Sequence, residues 1–209
     1  MRNILFTIGC SFLLLMANAQ QASVRSLAKI EAGPGGIGFG YEAKLAATFT
    51  LDANIGVGGN YEIKDHSFSY VFASSKYETP ALYLNINPRF YYNIAKRASR
   101  DRNTSLNGAN YFGVKVKLVA PFDTDYYTGT SLINVHWGIQ RNIGGKWLIN
   151  THAGLGYAVS QVQTSTIYYN SNGSNTVIRH PSPSSFYPAI DIKFAYVLSK
   201  KDGKKREQW

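Results

Sequence analysis

The sequence predicts an all-β fold, an antiparallel up-and-down transmembrane barrel of eight strands, and three observations lead there. The first is alternation. In Leu51-Asp52-Ala53-Asn54-Ile55-Gly56-Val57-Gly58, in Phe112-Gly113-Val114-Lys115-Val116-Lys117-Leu118 and in Ile190-Asp191-Ile192-Lys193-Phe194-Ala195-Tyr196, one face is apolar and the other is charged or small. That is the period of a β-strand. Repeated in strands of about 10 residues with aromatic ends, it marks a barrel with lipid outside and polar groups inside. The second is an N-terminus built like a secretion signal, followed by no apolar run of the ~20 residues that a membrane helix needs. The third is a regular exchange of short and long connectors along the chain.

Met1-Arg2-Asn3 gives a positive start, Ile4 to Met16 is mostly apolar, and Ala17-Asn18-Ala19 has the form of a cleavage site. Residues 1–19 therefore read as a signal peptide, with the mature chain starting at Gln20. A lipoprotein reading would cut before Cys10, but the apolar run continues past it. Cleavage after Ala19 leaves no cysteine, hence no disulfide and no thiol chemistry. Residues 20–209 suit one domain, a barrel with a basic C-terminal tail over 199–209.

The elements follow in order. Residues 22–32 alternate weakly, with Val24, Ser26, Ala28 and Ile30 on one face and Arg25, Lys29 and Glu31 on the other; Pro34-Gly35-Gly36 then makes a tight turn. Further strands are expected over 36–46, 50–64, 80–93, 110–120, 131–141, 146–159 and 186–198. Connectors 46–49 and 142–145 are short, whereas 65–79, 122–129 and 160–185 are long. Bacterial single-chain barrels carry short periplasmic turns, longer outer loops and an even strand number. Eight strands place both termini and both short turns in the periplasm and all three long connectors outside. The connector 94–109, long and basic with Lys96, Arg97, Arg100 and Arg102, also falls on the periplasmic side, as a polar excursion.

Projected inward, the strands carry Arg25, Lys29, Glu31, Glu42, Lys44, Asp52, Glu62, Lys64, Arg89, Lys115, Lys117, His136, His152, Asp191 and Lys193. An eight-stranded barrel barely holds its own side chains, so charges inside must pair or meet water. Fifteen Tyr, eleven Phe and three Trp are many for this length. Phe90, Tyr92, Phe112, Trp137, Trp147, Phe194 and Tyr196 project toward lipid at the periplasmic strand ends, and Tyr61 and Tyr157 at the outer ends. Such rings suit the headgroup level. The formal charge is +10, and removing Arg2 leaves +9. A secreted chain rarely meets nucleic acid, so attraction to anionic headgroups is the better reading.

Several stretches resemble outer-membrane β-barrel proteins of Bacteroidetes-type bacteria. They are Pro88-Arg89-Phe90-Tyr91-Tyr92-Asn93-Ile94-Ala95-Lys96-Arg97 with Asn103-Thr104-Ser105 and Gly108-Ala109-Asn110-Tyr111, Trp137-Gly138-Ile139-Gln140-Arg141-Asn142-Ile143-Gly144, Gly154-Leu155-Gly156-Tyr157, and the step Tyr41-Glu42. The resemblance covers most of residues 20–209 and is similar in class to small barrels such as the membrane domain of outer-membrane protein A. It implies a Gram-negative outer-membrane location and an architecture, but no activity and no functional residue. The family's last strand usually ends the chain at an aromatic residue, whereas this chain runs eleven residues past Leu198 to Trp209.

Catalysis needs a constellation. His136 and His152 fall inward on paired strands at similar depth, which could suit a metal or a proton, yet no carboxylate lies beside either in sequence and no serine lies near on the same face. His66 and His180 lie in loops. Gly33-Pro34-Gly35-Gly36 and Gly56-Val57-Gly58-Gly59 precede no helix and lack a Gly-Lys-Ser/Thr ending, so neither is a phosphate loop. The expectation is a monomeric, non-enzymatic barrel without cofactor or metal, in contact with outer-membrane lipid and lipopolysaccharide and inserted by the barrel assembly machinery. Its role is structural or surface interaction through loops 65–79, 122–129 and 160–185. A narrow porin-like pore and, further off, a lipid-modifying enzyme stand as alternatives.

Overall fold

The computed structural model describes residues 22–64, 67–71, 80–122, 129–161, 165–169, 175–179 and 182–201. The expected signal peptide, His66, His180 and most of the tail lie outside these residues. Eight antiparallel strands close a barrel: β1 (Ser26–Gly33), β2 (Gly36–Lys44), β3 (Phe49–Gly58), β6 (Ala81–Phe90), β7 (Asn110–Pro121), β8 (Thr130–Gly144), β9 (Trp147–Ser160) and β12 (Ser184–Lys201). Neighbours in sequence are neighbours in the ring, and β12 returns to β1. The faint strand at 22–32 is real, beginning at Ser26. Two hairpins rise from the long connectors: β4 (Asn60–Lys64) with β5 (Ser67–Val71), and β10 (Ser165–Tyr169) with β11 (Asn175–Arg179). All long connectors that hold these hairpins, together with 122–129, leave one end of the barrel, here the loop end. Both chain ends, the two short turns and the connector 91–109 share the other, the terminus end.

Alternation holds round the wall. Between positions 28 and 198 on the eight strands, the outward row reads Ile30, Ile37, Phe39, Ile55, Leu84, Ile86, Val114, Val116, Ile133, Val135, Leu155, Ile190 and similar residues. Among the described residues its one charge is Arg141, at the terminus end, where the guanidinium donates to Asn110 Oδ1 at 2.5 Å. The inward row holds the charges, amides and glycines. The glycines make room for rings: a Cβ on Gly138 would sit 2.3 Å from the Tyr111 ring, and one on Gly156 would sit 2.4 Å from that of Tyr187.

The expected strand 50–64 breaks in two at Gly59. A Cβ on Gly58 would meet the Gly35 carbonyl oxygen at 2.1 Å, so the chain there lies against the β1–β2 turn and then leaves the ladder. β4 and β5 fold across the mouth toward β9 and β12. Two inward assignments fail as a result: Glu62 is exposed, and Lys64 ends a hairpin strand rather than a barrel strand. Tyr61 does not face outward either; it packs with Phe68, Tyr70 and the loop-end core. Arg25 lies before β1 and is exposed.

The register explains the shape of the rim. Directly paired residues run from Ile30 through Phe39, Ile55, Leu84, Leu118, Ser131 and Val159 to Ser184. Across the closing seam, however, Ile30 faces Tyr196, so the ladder returns displaced by twelve residues along β12. A barrel of this shear has steeply tilted strands. β1 is short, and its last pair with β12 is Ala32 with Phe194. From Ser184 to Lys193, β12 pairs with β9 alone among the described residues. The wall is therefore lowest over β1 and β2 and stands tallest at β12.

Apolar layers cap a polar middle. At the terminus end the connector 91–109 folds into a short helix, Ile94–Ala98, and a 3-10 turn, Ser105–Asn107. It is a plug rather than a polar excursion. Leu106 packs with Leu27, Leu148, Ala195 and Val197, while Tyr91 and Ile94 pack with Val24, Ala109 and Tyr111. At the loop end Ile63, Tyr83, Val119, Leu132 and Tyr187 form the other layer.

Candidate functional site

The polar middle begins with Glu42 on β2, fully buried. Its Oε1 accepts from Tyr91 Oη at 2.8 Å, Thr50 Oγ1 at 3.0 Å and Asn107 Nδ2 at 3.0 Å, and its Oε2 accepts from Gln140 Nε2 at 3.3 Å. Asp52, directly across on β3, meets Arg89 Nη2 at 2.5 Å and Lys29 Nζ at 3.0 Å. Lys29 also lies 2.8 Å from Glu31, which receives Lys193 at 3.1 Å and Asn54 Nδ2 at 2.6 Å. Arg89 reaches Gln140 Oε1 at 3.2 Å and stacks over the Tyr111 ring at 4.9 Å. Burying each ion costs several kcal/mol before pairing, so the network must be nearly complete to be tolerated. In charge it balances: Lys29, Arg89 and Lys193 face Glu31, Glu42 and Asp52, three charges against three, while Asn54 Oδ1 is buried without a hydrogen bond among the described residues.

Toward the loop end, Lys115 on β7 pairs with Asp191 on β12 at 3.2 Å. Its Nζ also lies 3.3 Å from His152 Nε2, to which it can donate. His152 and His136 stack with ring centres 4.2 Å apart, and His136 Nδ1 lies 2.7 Å from Asn134 Oδ1. The two histidines expected at one depth are thus brought together. Asp191 stands opposite His152 in the register, a neighbour visible only once β12 is laid beside β9. No group of three or more His, Cys, Asp or Glu with metal-binding geometry occurs among the described residues.

Lys117 is the exception to the charge balance. It is 8% exposed and has no carboxylate partner among the described residues. Its Nζ donates to Tyr61 Oη at 2.9 Å and lies over the rings of Tyr61 and Tyr83 at 5.0 and 4.5 Å. Burial, reinforced by Tyr70 and Asp191, pushes the Tyr61 phenol up from its ordinary value, so that partner stays neutral. Around Lys117 lies a cavity of about 250 Å³. Its inner wall is Lys115, His152, Asn134, Tyr83 and Asn85; its roof is Tyr61, Phe68 and Tyr70 of the hairpin; its outer margin is the turn 33–36 and residues 188–193 of β12. Phe68 stacks on Tyr187 at 4.5 Å, and Tyr70 Oη donates to the Pro34 carbonyl at 2.7 Å, which ties the hairpin to the turn.

Glu42, Asp52, Arg89, Lys115, Lys117, His136, His152, Asp191 and Lys193 all point into the barrel. Lys44 shares their parity but sits at the terminus rim, exposed, beside Ser23 Oγ. Phe90, Tyr92, Phe112, Trp137, Trp147, Phe194 and Tyr196 ring the outside toward the terminus end, with Tyr92 against Phe112, Trp147 against Tyr196, and Trp137 Nε1 donating to Tyr92 Oη at 3.0 Å. Tyr157 lies outside near the loop end against Phe186. Sequence reasoning passed over Asn54, Asn87, Gln140 and Asn150, which complete the network. They share the inward parity of the charges, so the signal existed. Asn107 carried none, because its place depends on how the plug folds.

No protein-family model, no curated protein and no solved structure matches this chain.

Proposed function

We propose that this chain is a Bacteroidetes-type outer-membrane β-barrel, monomeric and non-enzymatic, that acts through its loop end as a structural or surface-interaction protein. The observation that carries this reading is the inverted distribution of polarity: a closed eight-stranded wall, apolar outside and charged inside. Soluble monomers rarely expose contiguous apolar patches beyond a few hundred Å². A wall of this kind suits hydrocarbon, and the aromatic ring at the terminus end suits a headgroup layer. The tightly paired interior and the plug argue for a filled barrel over an open pore. The loop end, with its hairpins, then faces outward, and lipid, lipopolysaccharide and the assembly machinery are the partners.

Cell fractionation tests the location: the protein should be recovered with outer membranes and migrate differently in gels before and after heating. A soluble periplasmic pool would overturn the reading. In planar bilayers the purified barrel should give no single-channel steps; clear steps would favour the pore.

A further inference from the structure

The seam between β1 and β12 and the uncompensated charge of Lys117 meet at one place. The last ladder pair of β1 with β12 is Ala32–Phe194, Gly33 still lies against the Ile192 carbonyl, and past that point no described strand pairs with this edge of β12, where the turn 33–36 and residues 188–193 line the cavity. Pro188 on this edge carries no N–H, as befits a stretch whose one ladder partner is β9. Its neighbour Ile190 is 74% exposed on the outward face. A Cβ on Gly35, in the turn, would meet only Lys117 Nζ, at 3.9 Å, so the ammonium lies directly behind the gap. The edge joins an apolar outer surface to a buried cation that no carboxylate of the described residues pairs with.

We infer that this gap is a lateral cleft for a single-chain carboxylate amphiphile, whose head pairs with Lys117 while its tail lies along the outside of β12. Charge selects the head. The paired interior closes at zero and Lys117 adds one positive charge, which one carboxylate cancels and a doubly charged phosphate monoester would exceed. Size selects the chain. About 250 Å³ lies below the ~300–1,000 Å³ of pockets for drug-sized ligands, so it takes a small head and a few methylenes rather than the glycerophosphate head of a two-chain lipid. Tyr61 and Tyr83 supply the apolar sides of the headgroup site, and the hairpin β4–β5 lies over it. The source of the tail rests on the membrane reading above; the cleft itself does not.

The test uses the purified protein in non-ionic detergent micelles, its folding checked by gel migration without heating. With carboxyl-¹³C decanoate, the wild-type barrel should show a bound carboxyl resonance separate from the micellar pool. Lys117→Met should weaken binding at least ten-fold, and Lys117→Arg should retain it. Gly35→Phe, which fills the gap and leaves Lys117 in place, should also weaken it at least ten-fold. Decanol should fail to compete, and decyl phosphate should compete more weakly than decanoate. A folded wild-type barrel without a bound signal, equal binding by Lys117→Met, or equal competition by decanol would overturn the inference. Unchanged binding by Gly35→Phe would overturn lateral access, and tighter binding of decyl phosphate would overturn the carboxylate. Binding by a protein absent from outer membranes would sink the membrane reading and leave the cleft standing.

Discussion

Two buried cations should respond to the same substitution with opposite sign. Arg89 holds Asp52 and Glu42 in place, so Arg89→Met leaves carboxylates buried without their partner, at a cost of about 3–5 kcal/mol. Lys117 pairs with no carboxylate among the described residues, so Lys117→Met removes an uncompensated charge and should leave stability unchanged or raise it by about 1–3 kcal/mol. Urea unfolding in micelles, followed by tryptophan fluorescence, measures both; equal losses would show that Lys117 is part of the structural network. Steric limits are equally local. Gly138→Val would drive a branched side chain into the Tyr111 ring and should cost about 1–3 kcal/mol or more by the same measurement. Most of this inward chemistry was legible, because alternation alone assigns Asp52, Arg89, Lys115 and Asp191 to the inside. Which charges pair was not legible, since Glu31 with Lys193 joins residues from opposite ends of the chain.

Among the elements, the plug at 91–109 and the hairpin β4–β5 are what alternation could not show. The plug is held by single residues in unusual backbone positions: Leu106 and Asn107 have φ of 53° and 59°. Asn107 exchanges hydrogen bonds with the Arg25 backbone at 2.7 and 2.9 Å and donates to Glu42. Asn107→Ala removes all three and should destabilise by about 2–3 kcal/mol, at roughly 1 kcal/mol per bond. Amide exchange should speed first over 91–109; uniform protection would contradict the plug. The hairpin reads from sequence as the end of a longer strand, since Tyr61 and Ile63 continue the alternation past Gly59. Its departure is set by the close contact of Gly58 with the β1–β2 turn, a tertiary fact. Tyr70→Phe removes the hydrogen bond donated to Pro34 and the one accepted from the Gly59 N–H, and should cost about 1–2 kcal/mol while raising protease cleavage within 60–71. Unchanged cleavage would show that packing of Phe68 on Tyr187 suffices to hold the hairpin.

At the scale of the molecule, connector parity fixed the strand number and sent 94–109 to the terminus end, and the ring closes as that parity requires. The shear did not follow from parity. It depends on where β1 ends relative to β12, and it creates both the slanted rim and the gap behind which Lys117 sits. The most direct measurement places single cysteine-linked fluorophores along two outward rows and their inward neighbours, in a Cys10-free chain reconstituted into vesicles, and compares quenching by lipid-borne nitroxide with quenching by aqueous iodide. Labels at Ile55, Leu84, Val116, Val135 and Leu155 should be quenched by nitroxide and spared by iodide, with the pattern lapsing at Asn54, Asn85 and Asn134. Iodide quenching of the outward labels, with no response to nitroxide, would mean that water and not lipid bathes the apolar wall.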